Sequence, residues 1–422
     1  MSSAAFSAVF VFFLLATFIA RLWLGNRHIR HILLHRDVVP TQFAQRISLE
    51  AHQKAADYTV AKVRLGRIEE VIGLFVLLAF TLFGGLQCLS DWLLGWLGHG
   101  MAYQIALIAV FALISDLIDL PIEYYQQFVL EARFGFNKMT PTLFVVDTLK
   151  NIGLSAALGL PLVWIVLTLM GKAGDGWWVY TWIIWSLFQA TMLILYPTLI
   201  APLFNKFTPL ENEDLKVRVE NLLQRTGFAS KGLFVMDGSK RSTHGNAYFS
   251  GLGAAKRIVF FDTLIARLTH AEVEAVLAHE LGHYKLKHIA KRMAIISSLS
   301  LGFLALLGYL KTQTWFYAGL GVDPSAGGSD AMALLLFALI LPLFTFFFSP
   351  VGAFFSRKHE YEADAFAAQY TDAQDMVSAL VKLYEDNAST LTPDPLYSAF
   401  YDSHPPAALR VNQLLEPPTP SA

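Results

Sequence analysis

Cysteine is nearly absent: Cys88 stands alone in 422 residues. One thiol can form neither a disulfide within the chain nor a thiolate metal cluster. Charge is sparse as well, with Asp, Glu, Lys and Arg together at 15% and a formal net charge of −1. That balance, with no basic stripe interleaved with aromatics, argues against nucleic acid as a partner. No internal repeat or low-complexity segment stands out, and Pro417-Pro418-Thr419-Pro420 reads as a short frayed tail.

Apolar residues take the place of charge. They make up 55% of the chain, and the mean hydropathy is positive, too apolar for an ordinary soluble protein of this length. Seven stretches approach or exceed the ~20 apolar residues needed to cross a bilayer: residues 5–24, 71–89, 102–120, 152–170, 178–199, 293–310 and 331–349. The first has no basic leading region and no small-residue cleavage site, so it reads as a retained span rather than a removed signal. Pro161 and Pro197 fall in the fourth and fifth, tolerable where neighbouring helices satisfy the freed backbone. Asp116 and Asp119 fall in the third, where an acidic side chain is expected to face protein or water rather than lipid.

The loops set an orientation. All but two of the 32 Lys and Arg residues lie on one side; the exceptions are Lys172 and Lys311. By the positive-inside rule the N-terminus is outside, and the long segment after span five and the C-terminal tail are cytoplasmic.

That long segment carries the densest chemical signal, His279-Glu280-Leu281-Gly282-His283. On a helix, positions i and i+4 share a face, so both imidazoles can reach one metal while Glu280 stays free to move a proton. This is the zinc-protease arrangement: two neutral imidazole ligands and a carboxylate base for the bound water. Thr269 and Glu272 form a capping-box pattern ahead of Val273, Val276 and Leu277, which predicts a helix running into the motif. Gly282 is expected to leave room beside the metal. The plain alternative is a solvated helical turn whose polar face continues through Lys285, Lys287 and His288.

A catalytic zinc usually takes three protein ligands, so a third must come from elsewhere. The best segment is Ser356-Arg357-Lys358-His359-Glu360-Tyr361-Glu362-Ala363-Asp364. Glu360 and Asp364 share a helix face, whereas Glu362 points away. Glu360 as ligand and Asp364 as acceptor for a ligand imidazole N–H fit how metal sites orient histidines. His359 is a rival ligand on a different face, and the bland reading is a surface helix with an Arg357–Glu360 or Arg357–Glu362 pair.

Ahead of the metal motif, residues 211–225 read as an amphipathic helix, and 232–236, 247–250 and 257–261 as short strands. The last two are joined through Gly251-Leu252-Gly253, and the strands are expected to form a small antiparallel sheet. An edge strand beside the metal helix can hold an extended peptide by main-chain hydrogen bonds. Asn246, with Ala247 and Tyr248 of the strand after it, is the candidate substrate-binding element; an ordinary turn in Thr243-His244-Gly245-Asn246 is the alternative.

Taken together, these residues resemble the type I CAAX prenyl endopeptidase family of intramembrane zinc metalloproteases. Its marks here are Glu131-Ala132-Arg133-Phe134-Gly135-Phe136-Asn137, Ile200-Ala201-Pro202-Leu203-Phe204-Asn205-Lys206-Phe207 and Asn246-Ala247-Tyr248-Phe249. They continue with Leu277 to His283, Ser356 to Asp364, and His404-Pro405-Pro406 ahead of Arg410. The resemblance covers most of the chain.

It implies a mainly α, polytopic membrane protein: seven tilted helices forming a barrel around a large water-filled chamber, with a metalloprotease domain carrying a small sheet. By resemblance His279, His283 and Glu360 are the zinc ligands, one Zn2+ per chain, and Glu280 is the base. Asp364 takes the acidic position behind a ligand, His404 and Arg410 approach the substrate carbonyl, and Asn246 binds substrate backbone.

The organisation expected is membrane helices one to five over residues 1–200, a cytoplasmic metalloprotease segment over 201–292, helices six and seven over 293–350, and a C-terminal segment over 351–422. The partners are the bilayer and a peptide or protein substrate, lipidated or membrane-associated. The chain is compact, without long loop insertions or a basic retrieval-type tail, which suits a bacterial inner membrane; the location expected in a eukaryote is the endoplasmic reticulum. General proteolysis of membrane-associated or misfolded peptides is then expected ahead of CAAX processing. Two rivals are a seven-span transporter or scaffold with a structural metal, and the same metal chemistry on a non-peptide bond. Glu280 speaks against the first, since a structural site needs no base.

Overall fold

The structure, a computed structural model, describes residues 1–229, 232–250, 257–324 and 329–416. The Gly251-Leu252-Gly253 connection and the 417–420 tail lie outside the described residues. Six described helices are long and apolar enough to cross a membrane: Ser3–Leu34, Met101–Phe134, Pro141–Lys172, Gly174–Phe204, His288–Leu310 and Asp330–Tyr370. A seventh span is bent, Leu49–Phe80 meeting Gly85–Leu97 at 54°. The expected run over 71–89 thus straddles a break instead of forming one straight helix. Thr81 leaves helical geometry at φ −103° and ψ −99°, and Gly84 turns left-handed at φ 76°.

The helices outrun their apolar cores. Ser3–Leu34 has 32 residues, about 48 Å of helix against ~30 Å of hydrocarbon. The continuation of the last span, Ser349–Tyr370, reaches the metal-bearing helix His270–Lys285. Pro197 stands in a π turn, Tyr196–Ile200, and Pro161 inside Pro141–Lys172.

Beyond the fifth span lies a four-stranded sheet of order β1-β2-β4-β3: β1 Phe207–Pro209, β2 Leu233–Met236, β3 Ala247–Ser250 and β4 Arg257–Phe261. It is mixed, not antiparallel, because β2 pairs parallel to β4. Its first strand was not anticipated: three residues ending in Pro209 are too short to show a period. The continuous apolar run of β4 suits a central strand covered on both faces, and Ile258, Val259 and Phe260 are all buried. β3 pairs antiparallel with β4 and forms the sheet's edge. The amphipathic helix Glu213–Arg225 packs Leu215, Val219 and Leu222 into the same core.

Thr269 and Glu272 close the anticipated capping box on helix His270–Lys285. Helix Ser349–Tyr370 packs along it, continuing the last span through a short turn at Phe346–Phe348. Gly282 serves that packing. A Cβ there would come within 3.0 Å of Ala363 Cα and 3.1 Å of Phe366 Cβ. The small residue makes room for a helix rather than for the metal.

Polar anchors join the parts. Arg241 donates to both Asp147 oxygens, at 2.9 and 3.1 Å, and to Asn205 Oδ1 at 2.8 Å, tying the sheet segment to spans four and five. Buried Glu272 accepts from Lys382 and Ser378, each at 2.7 Å. Arg357 donates to the Ser398 and Asp402 carbonyls, not into the pair with Glu360 or Glu362 that the surface-helix alternative required.

Candidate metal centre and active site

The two helices bring His279, His283 and Glu360 together. The Nε2 atoms of the imidazoles are 3.1 Å apart, and Glu360 places one oxygen 3.5 Å from His279 Nε2 and the other 3.3 Å from His283 Nε2. A tetrahedral zinc with ligands at ~2.0–2.1 Å spaces them about 3.3 Å apart. The observed distances fit. Glu360 Oε2 is buried with no hydrogen-bond partner among the described residues, a costly state for a carboxylate that a divalent cation relieves. His359, the rival ligand, falls outside this group.

Behind His279, its Nδ1 lies 2.8 Å from Asp364 Oδ1. Asp364 is held in turn by Arg410, whose Nε and Nη2 donate at 2.8 and 2.6 Å in a two-point fork. Arg410, named with His404 as approaching the substrate, thus spends two nitrogens on Asp364 and is buried. Its Nη1 is 3.7 Å from Glu360 Oε2. His404 is exposed, and its Nε2 sits 3.4 Å from the same oxygen.

Electrostatics follow from this crowding. Burial opposes charge on His279, but the Asp364 and Glu360 carboxylates outweigh it and raise its pKa to about 9 without a metal. Burial pushes the Glu280 carboxyl up from its ordinary value, with His279 and His283 opposing. A carboxyl raised in this way is better matched to accepting a proton near neutrality.

The substrate-side residues surround these groups. β3 packs against the metal helix. Asn246 is exposed at its head, its Oδ1 accepting from Ala247 N at 2.8 Å; Ala247 is buried and Tyr248 half-buried. A cavity of about 750 Å³ reaches from the first two spans, at Arg21, Tyr58 and Lys62, to His404 and Arg410.

One cluster was missed. His288, which enters the sequence analysis only on the polar face of the plain alternative, is buried at 4% exposure and lies with His359 and Glu362 directly behind His283. The available signal was a third histidine five residues past the motif. Other motif residues are brackets: Glu131 accepts from Tyr58 Oη at 2.6 Å, and Phe136 stacks on His244.

Residues 28–206 match the family described as CAAX prenyl protease N-terminal, five membrane helices, and residues 209–417 match Peptidase family M48, whose members are zinc-dependent. The CAAX prenyl protease 1 homolog of Arabidopsis thaliana is 35% identical, covering 97% of each chain. CAAX prenyl protease 1 of Saccharomyces cerevisiae is 35% identical over 89% of this chain and 88% of its own. The crystal structure of S. mikatae Ste24p superposes with a TM-score of 0.91 at 30% identity, covering 97% of this chain and 99% of that one. The chain belongs to peptidase family M48, as a multi-pass membrane zinc metalloendopeptidase of the CAAX prenyl protease type.

Proposed function

We propose that His279, His283 and Glu360 hold one zinc ion per chain and that Glu280 is the catalytic base for cleaving peptides that carry an apolar or lipid anchor. Zinc held there supplies a water of lowered pKa and polarises the scissile carbonyl. Glu280 takes a proton from the attacking water and delivers it to the leaving amine. His404, exposed beside Glu360, donates to the carbonyl oxygen as charge grows on it. Asp364 fixes the His279 ring by accepting its Nδ1–H, and Arg410 fixes Asp364. Substrate lies extended against the β3 edge, with Asn246 binding its backbone and Ala247 and Tyr248 lining its path.

The observation that carries this reading is the convergence of three donor groups, one of them with a buried unsatisfied oxygen, at a helix that packs against the strand at the edge of the sheet among the described residues. The relatives' name, CAAX prenyl protease 1, supports prenylated C-terminal tails as one substrate class, beside general membrane proteolysis. Nucleic acid has no part in it. Residues 1–200 and 293–350 anchor the chain, while 201–292 and 351–422 carry the chemistry on the cytoplasmic face. The N-terminus is outside, in a bacterial inner membrane or, in a eukaryote, the endoplasmic reticulum.

The test is cleavage of matched plain and farnesylated quenched peptides by detergent-purified protein. Faster cleavage of the farnesylated peptide supports a lipid-reading site; equal rates argue for general proteolysis.

A further inference from the structure

We propose that His288 is a positioning residue for His283, acting through a hydrogen-bond relay that ends on Glu362. The inference rests on reading His283 as a metal ligand. His288 Nδ1 lies 3.0 Å from His283 Nδ1, and His288 Nε2 lies 2.9 Å from Glu362 Oε2. With Nε2 of His283 turned to the metal group, its Nδ1 carries the proton and donates to His288. His288 then holds its own proton on Nε2 and donates it to the carboxylate. Every atom has one role, and no group needs to be charged except Glu362.

The backbone is bent to make this contact. On an uninterrupted helix, residues five apart sit about 140° from one another around the axis. Helix His270–Lys285 ends instead, and Lys287 takes φ 59° and ψ 32° before the next helix begins at His288. That left-handed conformation disfavours any L side chain, and it folds His288 back onto His283. The His359 ring then stacks on His288 at 4.1 Å and 13°, fixing its plane.

The relay completes a symmetry of support. His279 has a carboxylate, Asp364, 2.8 Å from its Nδ1, and His283 has one an imidazole removed. The donor atoms of His288, His359 and Glu362 also lie close enough to suggest a second cation. Both nitrogens of His288 are already engaged, however, and stacked rings aim their lone pairs side by side rather than at one point.

The test uses detergent-purified full chain and chelator competition for zinc, with the visible spectrum of the cobalt-substituted protein and the thermal stability of the metal-free protein. His288→Phe keeps the ring and its stacking but loses both nitrogens. Its zinc affinity is expected to fall about 10–100-fold, as for other groups that orient ligands, and its cobalt spectrum to shift. His288→Asn places an amide oxygen where Nδ1 accepts, and is expected to recover most of the affinity. Glu362→Leu, which removes the acceptor for His288 Nε2, is expected to lose a smaller part. Should His288→Phe fail to fold, Glu362→Leu, which removes the acceptor, carries the test alone: unchanged zinc affinity there overturns the relay. Wild-type zinc affinity in His288→Phe, with only stability altered, reduces His288 to packing and overturns it too. A second zinc equivalent that disappears in His359→Phe replaces the relay with a metal site. A wild type that binds no zinc overturns the metal-ligand reading and this inference with it.

Discussion

Two spans of this chain look alike in sequence and are held in opposite ways. Pro141–Lys172 and Asp330–Tyr370 have similar hydropathies, 2.2 and 2.6, yet 6% of the apolar window is buried in the first and 50% in the second. In the second, Ala331, Leu335, Leu336 and Ile340 pack into one core with Phe10, Leu14 and Leu107. Lipid tails are as apolar as leucine, so hydropathy marks the membrane and not the interior. The buried span is also the one whose continuation, Ser349–Tyr370, delivers Glu360 and Asp364. A helix that must place a ligand within tenths of an ångström is clamped by protein along its apolar window; one tied in mainly near its ends, by Asp147, Leu167 and Met170, can face lipid between them.

The largest effect is expected where the clamp meets charge. Arg410→Met strips buried Asp364 of its two-point fork and leaves it the His279 ring alone, at a cost of about 3 kcal/mol, read by thermal unfolding. A smaller loss would mean that Asp364 finds another partner. Gly282→Ala pushes a Cβ into Ala363 and is expected to cost about 1–3 kcal/mol and weaken zinc binding. An unchanged melting temperature would show that the two ligand helices are free to move apart.

Proton competition comes next. Without metal, His279 holds its proton up to about 9, so zinc affinity should fall about tenfold for each pH unit below that value. Because this folded-state pKa lies above the ordinary 6.5, it stabilises the metal-free protein fully below pH 6.5. That contribution disappears as pH rises through about 9. Zinc titrations at pH 6, 7 and 8 check the first; a flat profile would mean that His279 is already neutral. The smallest effect belongs to the anchoring span: Leu149→Ala, at a 63% exposed position, should shift stability by under about 0.5 kcal/mol. A large loss there would erase the contrast between the spans.

Much of this architecture was legible because periodicity and hydropathy are local. The metal helix announced itself by its capping box, and all seven runs fall within apolar helices, one of them bent. What escaped depends on partners distant in sequence. The parallel pairing of β2 with β4 and the packing duty of Gly282 are set by neighbours that no window contains. The residues singled out around the site, His279, His283, Glu360, Asp364, His404 and Arg410, are brought together. His288 was passed over because it reads as one more polar residue unless the left-handed turn at Lys287 is known.

The most direct measurement is peptide cleavage by wild type and Glu280→Gln side by side, with zinc content determined for both. The expected result is equal zinc and a rate lower by about 10²–10⁴-fold in the variant, the range that a positioned proton acceptor supplies. Undiminished cleavage with zinc bound would contradict the assignment of Glu280 as the base.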